Sequence, residues 1–303
     1  MSYIVVAPDY NENDGGAIVL HHLCHELNRL GESATLWPMR RLRFSKSGMN
    51  VRLKKYKTMA KEWVNGVDFR TNPELNTPIS SWFAVSESSI VIYPEVIAGN
   101  PLAAKNVVRW LLHQPGFHTG VVDYDAEDYI FKFDDFAEVP AITGSGLPQL
   151  FLFVIHPAYE NEGRKDRKGS CYILRKGAGR DLVHELEDSI KIDGLPHDVV
   201  ADIFNQCETF YSYDEATMYS QFAALCGCVS VVIPKSFETR EQWSKNHPLA
   251  KYGVAYGVHD RSHAIETQPL LMQYLNDLEA EGRSSVEEFV SLTKTRFLSD
   301  APR

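Results

Sequence analysis

The sequence predicts an α/β protein made of two successive units, each built on its own parallel sheet. Three observations predict this. Strand, loop, helix and strand follow one another within the first forty residues, which is how a parallel α/β unit opens. A second alternation of short apolar runs and helical patterns begins after a Gly- and Pro-rich stretch at 139–148. The length, 303 residues, suits about two domains. At 44% hydrophobic and 23% charged, the composition excludes a disordered or fibrous chain. No apolar run approaches the ~20 residues of a membrane span.

Residues 3–7 form a short apolar strand, and residues 8–16 a polar loop with paired glycines. Residues 17–30 are helical by pattern, since Ile18, Leu20, Leu23, Leu27 and Leu30 recur mostly at three- and four-residue intervals. Gly31 closes that helix because it tolerates the left-handed conformation. Residues 33–37 are the second strand and residues 89–93 a buried-type strand. Residues 103–112 read as a helix stopped by Pro115-Gly116, and residues 128–133 as a further strand. In the second series, residues 150–155, 170–174, 189–192, 209–212 and 229–233 are strands. Residues 196–206, 216–225, 267–280 and 286–297 are helices. The expected division is 1–142, 143–285 and a C-terminal helix 286–303 that packs back on the first domain.

The formal charge of −9 argues against nucleic-acid binding. Residues 40–57 nevertheless hold Arg40, Arg41, Arg43, Lys46, Arg52, Lys54, Lys55 and Lys57 and no acid. Two readings stand: a solvated loop, or a contact for an anionic membrane or a phosphate-bearing acceptor. Residues 1–6 read as a strand and not a leader, so the expected location is the cytoplasm, peripheral to the inner face of the membrane. Five cysteines with no CxxC pair give no disulfide framework.

The chemistry-bearing positions cluster after strands. Gly15-Gly16 opens a helix after the first strand, where free N–H groups favour an anion; a tight turn made for packing explains it equally. It lacks the third glycine of a dinucleotide fingerprint. Tyr213, Asp214 and Glu215 follow the 209–212 strand, and Thr217, Tyr219 and Ser220 open the next helix, in position to hold a diphosphate. Arg175-Lys176-Gly177 follows the 170–174 strand. Glu95, after residues 89–93, and His113, before Pro115-Gly116, are the candidate catalytic groups.

No metal site is expected. His21 and His25 share a helix face, with His22 beside them, but no further ligand has fitting spacing. Asp123-Tyr124-Asp125 matches a metal-binding spacing that chance alone supplies in a chain with 18 aspartates.

The stretch from Phe210 through Asp214 and Ala223-Ala-Leu-Cys-Gly-Cys228 to Pro234 resembles the donor-binding region of GT-B-type glycosyltransferases, especially the bacterial surface-polysaccharide kind. The Gly15-Gly16 loop, Arg175-Lys176-Gly177, residues 108–116 and residues 252–257 resemble stretches of the same superfamily in the same order. The resemblance implies two Rossmann-like domains facing a cleft. The acceptor lies on the first and the nucleotide-sugar donor on the second, held by Gly15, Gly16, Arg175, Lys176, Gly177, Tyr213, Asp214, Glu215, Thr217, Tyr219 and Ser220. It implies metal-independent transfer of a sugar, with no cofactor, to a saccharide or polyprenyl-linked acceptor in surface glycan synthesis. One position departs: where many retaining members carry two glutamates with seven residues between them, this chain has Asp214 and Phe222. A nucleotide-sugar epimerase of the same architecture and a non-catalytic nucleotide-sugar-binding protein are the competing readings.

Overall fold

A computed structural model of the chain describes residues 1–45, 49–237 and 239–298. Two compact units divide it: Met1–Val154 together with the chain from Glu279, and Ile155–Leu278.

The first unit contains β1 (Ser2–Ala7), α1 (Gly15–Arg29), β2 (Ser33–Pro38), α2 (Met49–Asn65), β3 (Ser89–Pro94), β4 (Asn106–Leu111), β5 (Tyr129–Lys132) and a one-turn helix, α3 (Pro140–Thr143). Its five strands lie in the order β2-β1-β3-β4-β5, all parallel. Ser2 stands in register with Ser33 on one side and Ser89 on the other. Successive residues of β1 face opposite sides of the sheet. Tyr3 and Val5 join Leu20, Leu23 and Leu27 of α1 in one apolar layer, while Ile4 and Val6 join Trp37, Val91 and Tyr93 in another. A sheet covered on both faces needs unbroken apolar strands, and every residue of β3 and β4 is buried. Asp14 caps α1 by accepting the Gly16 and Ala17 N–H groups at 2.9 and 3.2 Å. Gly31 follows the helix end with φ +83°.

Three readings of the sequence are corrected here. Residues 103–112 are not a helix; their centre is β4, whose residues are all buried, Asn106 and Arg109 included. Residues 150–155 are not a strand. They run beside β5 with a single bridge, Lys132 to Gln149, and the Leu150 carbonyl accepts the Trp110 indole N–H at 2.9 Å. The basic stretch is not a loop: Met39–Phe44 forms a 3-10 turn and α2 follows, while Lys46 lies outside the described residues.

Arg109 of β4 is wholly buried. It pairs with Asp128 at 2.7 Å and donates to the Ile97 and Gly99 carbonyls at 2.6 and 3.0 Å. Its guanidinium lies between the Tyr93 and Tyr124 rings, 5.1 and 4.6 Å from their centres. These contacts fasten the loop that leaves β3, so a buried charge fixes the backbone just beyond Glu95.

The second unit contains β6 (Ser170–Ile173), β7 (Ser189–Lys191), α4 (His197–Gln206), β8 (Thr209–Ser212), α5 (Tyr219–Leu225), β9 (Val229–Val232), α6 (Arg240–Asn246), β10 (Val254–Tyr256) and the start of α7 (Arg261–Leu298). Its strands are ordered β10-β9-β8-β6-β7, again all parallel. Both sheets are Rossmann-like: the chain runs outward from one central strand, then returns and continues on the other side. The two late helices expected from sequence are one 38-residue helix, which continues past Pro269. Its later turns belong to the first unit. There Phe289 packs 4.9 Å from the Phe131 ring, and the Thr293 hydroxyl meets that of Tyr3 at 3.0 Å. No described helix is long and apolar enough to cross a membrane.

Candidate functional site

Each sheet reverses its strand order once, between β1 and β3 in the first unit and between β6 and β8 in the second. In open parallel sheets, ligands commonly bind beyond the carboxyl ends of the strands at such a reversal.

In the second unit, β6 runs into a 3-10 turn, Arg175–Gly177, and β8 into Tyr213, Asp214 and Glu215. These loops meet so closely that a Cβ on Gly177 would run into the Tyr213 backbone carbonyl. Arg175 adopts φ +42°, and Asp193 supports it by accepting the N–H groups of Leu174 and Arg175 at 3.0 and 2.9 Å. Arg180 reaches under the crevice. Its guanidinium donates to the carbonyls of Tyr213 (2.7 Å), Ile233 (3.1 Å) and Pro234 (2.7 Å), tying the ends of β8 and β9 together.

The Arg175 and Lys176 side chains are exposed, and neither forms an ion pair among the described residues. The Arg175 guanidinium leans on the Tyr219 ring at 5.6 Å, and its Nη1 donates to Thr217 Oγ1 at 3.4 Å. Asp214 beside them is buried, and its carboxylate accepts the Ala216 N–H at 3.1 Å. Two backbone N–H groups at the start of α5 are used within the turn: Tyr219 donates to Thr217 Oγ1 and Ser220 to the Thr217 carbonyl. Positive charge on this rim therefore comes mainly from Arg175 and Lys176.

Other expected contacts are engaged elsewhere. Tyr213 is buried; its hydroxyl accepts the Val183 N–H and bonds His184 Nδ1, each at 2.8 Å. Glu215 Oε1 accepts the N–H groups of Lys235 and Ser236 and the Tyr256 hydroxyl, the last at 2.6 Å. Burial pushes the Glu215 carboxyl up, but the Tyr256 hydroxyl and the Ser236 and Lys235 donors outweigh it and hold the carboxyl below its usual range. The Ser220 hydroxyl is buried without a partner among the described residues. Phe222 stacks on Tyr159 at 4.1 Å and 7°, so its ring fills an aromatic layer and offers no hydroxyl contact.

The first unit carries the remaining candidates. A Cβ on Gly16 would lie 3.7 Å from Leu112, whose N–H donates to Glu95 Oε2 at 3.1 Å. Gly16 and Glu95 therefore flank Leu112, with His113 next along the chain. Burial pushes the Glu95 carboxyl above its ordinary value, although its own N–H, that of Leu112 and the charge of His118 oppose this. His113 packs against Phe117 at 4.3 Å, and its Nδ1 accepts the Gln114 N–H at 2.8 Å. The N-terminus of α1 is already occupied by the Asp14 carboxylate, which opposes a second anion there.

The expected residues thus fall into two groups on different units: Gly15, Gly16, Glu95 and His113 on the first, and the nine from Arg175 to Ser220 on the second. Asp193, Arg180 and His247 were not singled out from sequence. His247 is half-buried near Glu215, Asp214 and Lys176; burial lowers its pKa, with the carboxylates opposing. Only Arg180 had a signal, at the end of the Gly- and Arg-rich run 175–180. Among the described residues no group of three or more His, Cys, Asp or Glu is arranged to hold a metal ion. His21 instead bonds the Pro8 carbonyl at 2.9 Å and stacks on Phe69.

No protein-family model matches the chain, and no curated protein matches it. Two solved structures are similar across its length. One is CalG4, the calicheamicin glycosyltransferase, 11% identical with a TM-score of 0.40 over 100% of each chain. The other is the glycosyltransferase SnogD from Streptomyces nogalater, 11% identical with a TM-score of 0.40, covering 96% of this chain and 99% of that one. Likenesses this distant lend no weight to any assignment.

The closeness of the β6 and β8 loops has a measurable consequence. Gly177→Ala should lower stability in urea unfolding by about 1–3 kcal/mol, because its new methyl meets backbone that cannot rotate away. An unchanged midpoint would contradict the packing at this crevice.

Proposed function

We propose that the chain is a glycosyltransferase that moves a sugar from a nucleotide-sugar donor to a saccharide or lipid-linked saccharide acceptor in surface-glycan synthesis, without a metal. The observation that supports this most is the pair Arg175 and Lys176. Both are exposed, free of ion pairs among the described residues, and placed beyond β6 at the strand-order reversal beside buried Asp214. Transfer breaks the bond between the sugar carbon and the diphosphate oxygen, and negative charge grows on the leaving diphosphate. Two cations at that position offset the charge in the way a metal otherwise does. Asp214 and Thr217 are placed to meet hydroxyls of the donor, while Gly177, Tyr213 and Glu215 hold the loops. Glu95 takes the proton of the attacking acceptor hydroxyl; a carboxyl raised by burial is a stronger base than an ordinary one. His113 is the second candidate for that proton.

The test is a thermal-shift screen with nucleoside diphosphates and their sugars, followed by a donor-turnover assay in chelator. Ligand at 100 times its Kd stabilises by about 2.7 kcal/mol. Release of free sugar or transfer supports the reading. Interconversion of sugars without release means an epimerase, and binding with no turnover means a binding protein. Loss of turnover in chelator, restored by manganese or magnesium, would contradict the metal-free mechanism. Arg175→Ala and Lys176→Ala should each weaken donor binding by about 1.5–3 kcal/mol in calorimetry with the melting temperature of the free protein unchanged. Donor affinity unaffected in both would remove them from the site.

A base must be ionised to act, and burial makes the Glu95 carboxyl titrate above its ordinary value. Activity should therefore fall as pH drops through that raised value, giving an acid limb above the ordinary carboxylate range. Glu95→Gln should lower turnover by about 10²–10⁴-fold, abolish that limb and leave donor affinity intact. A limb that persists in Glu95→Gln assigns the base to another group.

A further inference from the structure

Helix α2 is attached to the protein the opposite way round from most surface helices. None of its seventeen residues is buried. Its inward side, where Val51, Lys55, Thr58, Met59 and Glu62 are partly covered, is held by a polar clasp: Glu62 accepts from the Arg41 guanidinium at 2.6 Å and from the Trp82 indole N–H at 2.7 Å. Arg41 and Lys55 lie over the Trp82 ring at 4.6 and 5.6 Å. Arg41 itself is buried, so it belongs to this clasp and not to the outer surface.

The outward side is apolar. At 3.6 residues per turn, Met49, Leu53, Tyr56, Ala60, Trp63 and Val64 fall in one sector about 100° wide. Met49 is 79% exposed, Leu53 55%, Tyr56 64%, Trp63 88% and Val64 72%. A contiguous stripe of this kind costs solubility unless something covers it. Exposed basic residues border it, with Arg52 along one edge and Lys54, Lys57 and Lys61 along the other. The single acid of the helix, Glu62, is committed to the inward clasp.

We infer that α2 is an interfacial helix that lays this stripe on an anionic lipid surface. The charge decides the occupant. A second copy of the helix would set Arg52, Lys54, Lys57 and Lys61 against the same four cations. An anionic bilayer offers acyl chains to Leu53, Tyr56 and Trp63 and headgroups to the flanking lysines. Tryptophan and tyrosine also favour the headgroup level, where one end of the ring is apolar and the other wet. The cations that matter are those of α2: Arg52, Lys54 and Lys57 from the basic stretch 40–57, and Lys61 beyond it.

Co-sedimentation with vesicles tests this, using phosphatidylglycerol mixed into phosphatidylcholine against phosphatidylcholine alone. The intact chain should bind the anionic vesicles at low salt, leave them at high salt and hardly bind the neutral ones. Leu53→Glu with Trp63→Glu should lower the partition at least tenfold. The melting temperature should hold, since neither side chain is buried. Lys54→Gln, Lys57→Gln and Lys61→Gln should each lower the partition about fivefold. The proposal is overturned by absence of binding to anionic vesicles at low salt, or by binding that survives Leu53→Glu with Trp63→Glu. A concentration-dependent dimer in sedimentation, dissolved by Leu53→Glu, would overturn it too, because a second copy would then occupy the stripe.

Discussion

No side chain fits at position 177, because the Tyr213 carbonyl already occupies the space where its first carbon would go. That exclusion brings the loop after β6 against the loop after β8 at the point where the strand order reverses. Arg180 secures the same join from below by binding the carbonyls of Tyr213, Ile233 and Pro234. With the backbone held there, the Arg175 and Lys176 side chains leave the loop on its exposed side, near Asp214.

The first unit solves a similar problem with a buried ion pair. Arg109 and Asp128 gain from each other only because the Ile97 and Gly99 carbonyls and two tyrosine rings complete the environment of the guanidinium. The loop after β3 is thereby fixed, and Glu95 at its start is held against the Leu112 N–H. Burial that would be a liability for an ordinary carboxylate is what raises the basicity of this one.

Much of the fold was legible because parallel strands announce themselves as apolar runs bounded by turns. Residues 3–7, 89–93 and 229–233 are of that kind. The same reasoning failed at β4, where a strand buried on both faces, with Arg109 in its middle, has no period of two to separate it from a helix. Residues 281–285, with Gly282 among them, divided the pattern of α7 into two pieces, although flanking turns carry the helix through. α2 was hidden because its apolar residues alternate with lysines and point outward, so the charge run dominated the reading. Arg175, Lys176, Asp214 and Glu95 were legible since each directly follows a strand. Asp193, Arg180 and His247 were not, because they reach the crevice only through the sheet order and side-chain length.

The most direct measurement of whether the second unit holds the donor diphosphate is a crystal structure of the chain with a nucleoside diphosphate bound. The predicted result is phosphate oxygens within hydrogen-bonding distance of the Arg175 and Lys176 side chains, beyond the carboxyl ends of β6 and β8. A diphosphate seated instead at Gly15-Gly16, or anywhere that leaves Arg175 and Lys176 without contact to it, would contradict the claim.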